Sequence, residues 1–193
     1  GFVKTTEKKL PTEKIILGID PGTTVMGYGL ILTEGKKYKI LQYGVIHLKK
    51  YETHELKLKK IFERISGILE EFAPDSVALE APFFGVNVQS MLKLGRAQGV
   101  AMAAALSKEI PITEYSPKKV KQSVTGNGNA SKEQVAAMLQ TLLGIEELPK
   151  LLDATDALAV ALCHHFHEGR MQTRGRNEGW KSFIEDNPSR LKK

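Results

Sequence analysis

An apolar run ends in a single carboxylate in the segment Ile15-Ile16-Leu17-Gly18-Ile19-Asp20-Pro21-Gly22-Thr23-Thr24. A run of this length that is closed by Pro-Gly predicts a buried β-strand. The strand places Asp20 at its carboxyl end, which is where open α/β sheets hold their ligands. Aspartate before Pro-Gly is also a common turn residue, because its side chain bonds to the nearby backbone. The segment alone therefore leaves Asp20 as either a turn residue or a functional carboxylate.

The residues that follow predict a sheet with both antiparallel and parallel pairs. A second strand over residues 25–32 and a third over 38–48 are joined by short turns, which indicates an antiparallel meander. Gly27 and Gly29 interrupt the second strand, and glycine inside a strand often marks a bulge or a close approach of another backbone. A helix over 54–72 then leads to a short strand over 75–79. This crossover allows the short strand to run parallel to the first.

The second half of the chain alternates helices with one more strand. The predicted elements are a small-residue helix over 89–108, a strand over 110–115, a short helix after Ser116-Pro117, a helix from Ser131 to about 143, and a helix over 153–167. Ser116 before Pro117 is typical of a helix start, and Ser131 with Gln134 has the sequence of a capping box. Together the elements predict an α/β fold, with a mixed five-stranded sheet covered by helices on both faces.

Composition and length limit the class of protein. The 193 residues suit one domain, which we assign to residues 14–168. We expect residues 1–13 to be a disordered or vector-derived extension, and residues 169–193 to be a basic, flexible tail. The 28 Lys and Arg residues exceed the 22 Asp and Glu residues, which suits an anionic partner. Cys163 is the only cysteine, which excludes a disulfide framework and favours the cytoplasm. No segment is long and apolar enough to cross a membrane.

Four acidic residues lie next to apolar segments, where solvent-exposed charged side chains are not expected. Asp20 and Glu80 each end an apolar strand, and Asp153 and Asp156 begin a helix whose remainder is apolar. A spacing of three places the latter two on one helix face, although an Asp there also suits the positive end of the helix dipole. Carboxylates gathered at one place repel each other unless cations lie between them, and oxygen ligands favour Mg²⁺ over zinc. Two such ions can clamp a phosphodiester and activate water for its hydrolysis.

The motifs, in this order and spacing, resemble those of the RuvC Holliday-junction resolvases over about residues 14–167. The matching segments are Gly18-Ile19-Asp20-Pro21-Gly22-Thr23-Thr24, Gly27-Tyr28-Gly29, Leu79-Glu80, Leu92-Lys93-Leu94-Gly95, Val120-Lys121-Gln122 and Asp153-Ala154-Thr155-Asp156-Ala157-Leu158-Ala159. The resemblance implies an RNase H-like fold and a homodimeric, Mg²⁺-dependent endodeoxyribonuclease. Such an enzyme resolves four-way DNA junctions by paired symmetric nicks in recombination and repair. The resemblance also implies two Mg²⁺ ions per active site, which Mn²⁺ can replace, and the junction branch-migration complex as a partner.

Site residues follow from the resemblance by position. The catalytic and metal-binding carboxylates are Asp20, Glu80, Asp153 and Asp156. The resemblance gives DNA contacts to Lys121, Lys132 and Phe83. Lys118, which flanks the same loop, and Phe84, which is paired with Phe83, are expected to bind DNA from their surroundings in the sequence. Lysines are usually solvated, but these lysines flank a glycine-rich loop, and phosphate contacts are what position DNA on a protein. The Phe83-Phe84 pair either belongs to the core or supplies a wedge between bases, the role that the resemblance gives to Phe83.

Some features leave alternatives open. Val86 stands where relatives often carry a basic residue, and Arg96-Ala97-Gln98 reverses an order common among them.

We expect the small-residue helix to form the dimer contact, through Met91, Leu94, Val100 and Met102. His164, His165 and His167 are better explained by a helix C-terminus than by a metal cluster.

The alternatives for function come from three classes. The Gly-Ile-Asp-x-Gly-Thr-Thr pattern also opens actin-like nucleotide-binding folds, but this chain has neither a second lobe nor an internal repeat. The other two are a related RNase H-like nuclease that acts on RNA and a catalytically silent junction-binding module.

Overall fold

The sheet sets the frame on which the rest of the chain packs. A computed structural model describes residues 12–81, 85, 87–147 and 150–186, with side chains described up to residue 171. Its strands are β1 (Glu13–Asp20), β2 (Val25–Glu34), β3 (Lys37–His47), β4 (Ser76–Glu80) and β5 (Ile112–Tyr115). Their order is β3-β2-β1-β4-β5, with β1–β2 and β2–β3 antiparallel and β1–β4 and β4–β5 parallel. The predicted mixed five-stranded sheet, with its initial meander, is confirmed.

Helices cover both faces of this sheet, as the sequence predicts. One face carries α1 (His54–Phe72) and α2 (Val88–Leu106), and the other carries α3 (Pro117–Thr125), α4 (Lys132–Leu143) and α5 (Leu152–Asp186). Successive strand residues point to opposite faces, so β1 contributes to both cores. Leu17 and Ile19 pack with α1 and α2, whereas Ile16 packs with the helices of the other face. Among the described helices, none is long and apolar enough to span a bilayer.

Side-chain caps fix where α3 and α4 begin. The Ser116 hydroxyl accepts a hydrogen bond from the Lys119 backbone N–H at 3.2 Å, with a proline in the first turn. The Ser131 hydroxyl accepts from the Gln134 N–H at 3.1 Å, and the Gln134 side chain accepts from the Ser131 N–H at 2.8 Å. Both predicted caps are thus confirmed. They hold the two helices on which Lys121 and Lys132 stand.

Glycines let α5 lie directly on the sheet. A Cβ atom at Gly27 would overlap the backbone oxygen of Asp153, and one at Gly18 would overlap that of Ala157. At Gly29 a Cβ would lie 2.7 Å from a methyl carbon of Leu158. The predicted close approach at Gly27 and Gly29 is therefore confirmed, and the approaching element is α5. The contact sets the first turn of α5 against the end of β1.

The predicted end of the last helix was wrong. The sequence led us to end it near His167, but α5 continues to Asp186. A single glycine such as Gly169 costs a helix only about 1 kcal/mol relative to alanine, which does not break it. Mobility of the segment from residue 169 onward, and the division into an extension, a domain and a tail, remain predictions.

The histidines near residue 165 therefore lie inside a helix and not at its end, so our explanation for them was also wrong. The Tyr115 hydroxyl lies 2.7 Å from His164 Nδ1, and the ring of Tyr38 meets that of His165 edge-on, with centroids 5.4 Å apart. Burial lowers the pKa of both His164 and His165. Cys163 is fully buried beside them, as predicted. The histidines pack against the rings of Tyr38 and Tyr115, and His164 Nε2 also lies 3.4 Å from a Glu168 carboxylate oxygen.

Candidate active site

Two strand ends and one helix start bring the acidic residues together. Ile19 of β1 pairs with Leu79 of β4 in parallel register, so Asp20 and Glu80 follow side by side at the same edge of the sheet. Both belong to the alternating set that faces α5. The Cα partner of Asp20 on β2 is Gly27, the glycine on which the first turn of α5 rests. The close contact at Gly27 therefore delivers the Asp153–Asp156 turn to the end of β1.

A cavity of about 590 Å³ opens at this point. Its lining residues are Asp20, Pro21, Glu80, Ala81, Leu94, Pro117, Val120, Lys121, Lys132, Val135, Ala136, Leu152, Thr155, Asp156 and Ala159. Three of the four predicted carboxylates and two of the three predicted lysines thus share one cavity. Asp153 is not among the lining residues, but it is close enough for its charge to raise the pKa of Asp20.

Burial and mutual repulsion disfavour negative charge in the cavity. The pKa of Asp20 is raised from 3.8 to about 8, first by burial and then by the charges of Glu80, Asp156 and Asp153. Burial and the charge of Asp156 raise the pKa of Glu80 from 4.5 to about 7. Burial also raises the pKa of Asp156. Lys132 acts in the opposite direction on all three carboxyls, and Lys121 does so on Glu80.

The buried carboxyls, which raise one another's pKa, could hold a cation. Within the part of the chain that the structure describes, no three Asp, Glu, His or Cys side chains already stand at the spacing of a metal-ligand set. The donor chemistry is nevertheless that of a hard divalent cation, since every acidic group offers carboxylate oxygens and no thiolate or imidazole lines the cavity. A cation between the carboxylates would replace their repulsion by attraction.

The predicted DNA-binding lysines have different surroundings. Lys121 is half-buried and Lys132 is exposed, and both line the cavity. Lys118 is exposed outside the cavity, and its side chain lies across the loop at Gly128, where a Cβ would come within 2.9 Å of it. That loop is held by Gln122, which donates to the Gly126 carbonyl at 2.9 Å and accepts from the Gly128 N–H at 3.0 Å. Two hydrogen bonds to one side chain therefore hold the loop between α3 and α4.

Three residues that the sequence singled out, Phe83, Phe84 and Val86, lie outside the described residues. The neighbouring Gly85 donates its N–H to the Met91 sulfur at 3.3 Å.

The residues that we expected to form a dimer contact do not form one outward surface. Val100 and Met102 pack against the core under α2, and Leu94 lines the cavity. The exposed apolar side chains of α2 are instead Val88, Leu92 and Leu106. Of the two reversed positions, Gln98 is buried and donates to Glu114 at 3.0 Å, whereas Arg96 is exposed.

One lining residue had no role in our sequence analysis, although it lies within a motif quoted there. Thr155 stands between the two aspartates of α5 and is 5% exposed. Its position between Asp153 and Asp156 was the available signal, but sequence does not tell which way a helical threonine turns its hydroxyl.

Comparison with known proteins agrees with this geometry. The sequence model of the family described as crossover junction endodeoxyribonuclease RuvC matches residues 16–164. A crossover junction endodeoxyribonuclease RuvC from Cytophaga hutchinsonii is 64% identical over 181 residues, which cover 93% of this chain and 89% of that relative. One from Bacteroides fragilis is 58% identical over 182 residues, which cover 93% of this chain and 97% of the relative.

Solved structures give the same result. Thermus thermophilus RuvC, in complex with a Holliday junction substrate, superposes with a TM-score of 0.77 at 35% identity, covering 81% of this chain and 96% of that one. The yeast mitochondrial Holliday junction resolvase has a TM-score of 0.62 at 16% identity, covering 92% of this chain and 89% of that one, a likeness of fold alone. The RNase H-like architecture expected from the motifs is thereby confirmed, and the chain belongs to the RuvC family of crossover junction endodeoxyribonucleases.

Proposed function

We propose that this protein is a metal-dependent endonuclease that resolves four-way DNA junctions by paired symmetric nicks in recombination and repair. One observation carries the proposal: in a chain of the RuvC family, carboxylates from β1, β4 and α5 share a cavity with two lysines from α3 and α4. Carboxylates hold cations that act on a phosphodiester, and lysines attract its negative charge. The family's name and the junction-bound Thermus relative indicate the substrate.

The metal ligands in this proposal are Asp20, Glu80, Asp153 and Asp156. The donor set suits Mg²⁺, with two ions per active site and Mn²⁺ as a substitute. Divalent ions held there would supply activation of water and neutralisation of charge on the phosphate. The raised pKa values of Asp20 and Glu80 support a site that is completed by cations, because positive charge among these carboxylates favours their ionised form.

The lysines position the DNA. Lys121 and Lys132 are placed to contact phosphates near the cut, since both line the cavity with the carboxylates. Lys118 lies against the Gly128 loop, is not among the residues that line the cavity, and would contact a phosphate further along the strand. Such contacts set the register of the backbone over the site without reading its sequence.

A homodimer would present two such sites to the two symmetry-related strands of a junction. We place its contact on α2, where an exposed stripe recurs at helical spacing and consists of Val88, Leu92, Gly95, Gly99, Ala103 and Leu106. Among the described residues, nothing lies within 4 Å of a Cβ built at Gly95 or Gly99. The small residues would let the same helix of a second copy approach closely.

Two further parts of the proposal come from the family resemblance. Phe83, with Phe84 beside it, would insert at the opened crossover and stack on an exposed base. A Phe83→Ala variant should then lose cleavage much more than junction binding. The junction branch-migration complex is the proposed partner, and the cytoplasm is the proposed location.

Cleavage of matched substrates tests the proposal. A four-way junction, a linear duplex of the same sequence and an RNA–DNA hybrid are incubated with the protein, with Mg²⁺ or with a chelator. The proposal expects paired nicks in the junction alone, in Mg²⁺ alone, and their loss in Asp20→Asn. Cutting of the hybrid in preference to the junction would identify an RNA-directed nuclease instead. Tight junction binding without any cutting would identify a silent binding module.

A further inference from the structure

Three basic side chains lie around the ring of His54, the first residue of α1. Lys57 follows on the next turn of α1, and Lys93 and Arg96 lie one turn apart on α2, which packs against α1. Burial lowers the pKa of His54, and the charges of Arg96 and Lys93 lower it further. The charge of Lys57 acts on the ring in the same direction, and that of Glu55 acts in the opposite one. We call Lys57, Lys93 and Arg96 the basic cluster.

The basic cluster has no acidic partner in the part of the chain that the structure describes. No carboxylate there lies within ion-pair distance of any of its three members. Lysines elsewhere on this face of the protein are paired, Lys59 with Glu63 at 3.8 Å and Lys108 with Glu70 at 3.4 Å. The Nε2 atom of His54 is also buried without a hydrogen-bond partner among the described residues. Like charges that are held close together repel one another, so the cluster indicates an anion that comes from outside the protein.

The connection into α1 places the cluster at the edge of the sheet where the carboxylates of the cavity lie. Asp20 ends β1 beside the start of β2, and the first residue of β2, Val25, pairs in register with His47 at the end of β3. A short connection then leads from His47 to α1, so α1 begins at this same edge. The connection adds two exposed lysines, Lys49 and Lys50. The edge therefore carries positive charge on the α1 and α2 face as well as acidic groups on the α5 face.

α2 separates the basic cluster from the cavity. Leu94 lines the cavity, whereas Arg96, two residues further on, is turned by about 200° around the helix axis. Lys93 and Arg96 are exposed and Lys57 is half-buried, and none of the three lines the cavity. Such an open surface suits a chain of phosphates better than a small anion. A helix with its side chains is about 10 Å across, which is about three base steps of DNA at about 3.4 Å each.

We propose that the basic cluster binds the phosphate backbone of a junction arm, about three or more base steps from the cut. This inference rests on the proposed junction cleavage and adds a second anchor for the DNA. Lys121 and Lys132 line the cavity itself, so they hold the backbone at the cut alone. A second contact beyond α2 fixes the direction in which the arm leaves the site, because contacts to phosphates set the orientation of a duplex on a protein.

Removal of the two exposed cations measures what the cluster contributes. Affinity for the junction is measured over a range of salt concentrations for Asp20→Asn, alone and combined with Lys93→Gln and Arg96→Gln. Each lost phosphate contact should weaken binding about tenfold near 0.1 M salt and lower the slope of log Kd against log salt concentration by about one. The pair should therefore lower the slope by about two. Lys59→Gln with Lys108→Gln, which removes two paired lysines from the same face, is the matched control and should leave the slope unchanged. An unchanged slope with Lys93→Gln and Arg96→Gln overturns the proposal.

Neutral linkages in the DNA locate the contact. Methylphosphonates replace one phosphate at a time along each arm, outward from the cut. A methylphosphonate about three or more base steps from the cut should weaken binding to Asp20→Asn about tenfold, and it should have no such effect once Arg96→Gln has removed the partner of that phosphate. Lys132→Gln should instead remove the effect of methylphosphonates next to the cut. If every methylphosphonate effect persists in Arg96→Gln, the cluster does not hold the arm.

The same measurements separate this inference from the proposed function. A wild-type protein that neither binds nor cuts the junction in Mg²⁺ refutes the proposed function. Cleavage by wild type, with a salt slope and methylphosphonate effects that Lys93→Gln and Arg96→Gln leave unchanged, refutes only the basic cluster as an anchor.

Discussion

Replacing Asp20 by Asn should stabilise the metal-free protein at high pH while abolishing cleavage. Burial and the neighbouring carboxylates raise the pKa of Asp20 from 3.8 to about 8. At about 1.4 kcal/mol per pKa unit, this displacement sets an upper bound of about 6 kcal/mol on the cost of its charge. Glu80 and Asp156 keep their charges in the variant and still repel each other. We therefore expect Asp20→Asn to raise the free energy of unfolding by about 2–3 kcal/mol. That gain corresponds to a rise of about 5–10 °C in Tm for a chain of this size.

The direction of the pH dependence follows from proton uptake. Between the unfolded pKa of 3.8 and the folded pKa of about 8, the folded state holds more protons on Asp20 than the unfolded state does. Wild-type stability therefore falls as the pH rises through that window, and the cost is complete above it. Asn does not titrate, so its advantage should be near zero at about pH 4 and largest above about pH 8. Mg²⁺ that binds the folded wild type offsets the same cost, so excess Mg²⁺ should narrow the difference.

Urea unfolding at several pH values, in a chelator and in Mg²⁺, measures the effect. Glu71→Gln, which removes one exposed acidic group from α1, is the control for net charge and should show no such trend. An Asp20→Asn variant that is no more stable than wild type at high pH without metal would show that the carboxylates do not form a buried, mutually repelling cluster. A gain in the free energy of unfolding that does not change with pH would show the same.

Three further variants test the positioning of the site, each with a matched control. Lys132→Gln should lower junction affinity and reduce the slope of log Kd against log salt concentration by about one. Lys59→Gln on α1, the control, should change neither. If Lys132→Gln and wild type have the same slope, Lys132 does not contact a phosphate. Gly27→Ala should lower the free energy of unfolding by about 2–3 kcal/mol, because its Cβ would overlap the backbone of α5. Gly67→Ala on α1, where a Cβ meets no other atom within 4 Å, should raise that free energy by at most about 1 kcal/mol. A Gly27→Ala variant with wild-type stability and activity would contradict the close approach of α5 to β2. Gly99→Leu should convert a sedimenting dimer to monomer without loss of Tm, and Gly67→Leu should not; a dimer that survives Gly99→Leu excludes the α2 stripe as its contact.

The sequence predicted the ends of the strands and the residues on them better than the directions of helical side chains. Asp20 and Glu80 each follow directly on an apolar strand, so a parallel pairing of the two strands places them at one edge of the sheet. The capping bonds of Ser131 were predictable because a capping box depends on local geometry alone. Gly27 and Gly29 predicted a close backbone approach, but the approaching helix lies more than 100 residues further along the chain and leaves no local signal.

Helix phase and helix length were harder to predict. α2 is rich in alanine and glycine, so its sequence has little contrast between faces. Val100 and Met102, which we assigned to the dimer contact, are half-buried against the core. The continuation of α5 past Gly169 was missed because a polar segment gives no apolar periodicity to follow. Thr155 was overlooked for a related reason: its place in the lining of the cavity becomes visible only when the helix and the cavity are seen together.

The most direct test of the central claim is the product formed from a supercoiled plasmid that extrudes a cruciform. Two nicks made in one binding event give linear DNA, whereas uncoupled nicks give an open circle. A dimer that carries two carboxylate sites predicts linear product in Mg²⁺, none in a chelator, and none with Asp20→Asn although the junction is still bound. Open circles alone, or linear product from Asp20→Asn at the wild-type rate, would contradict the account.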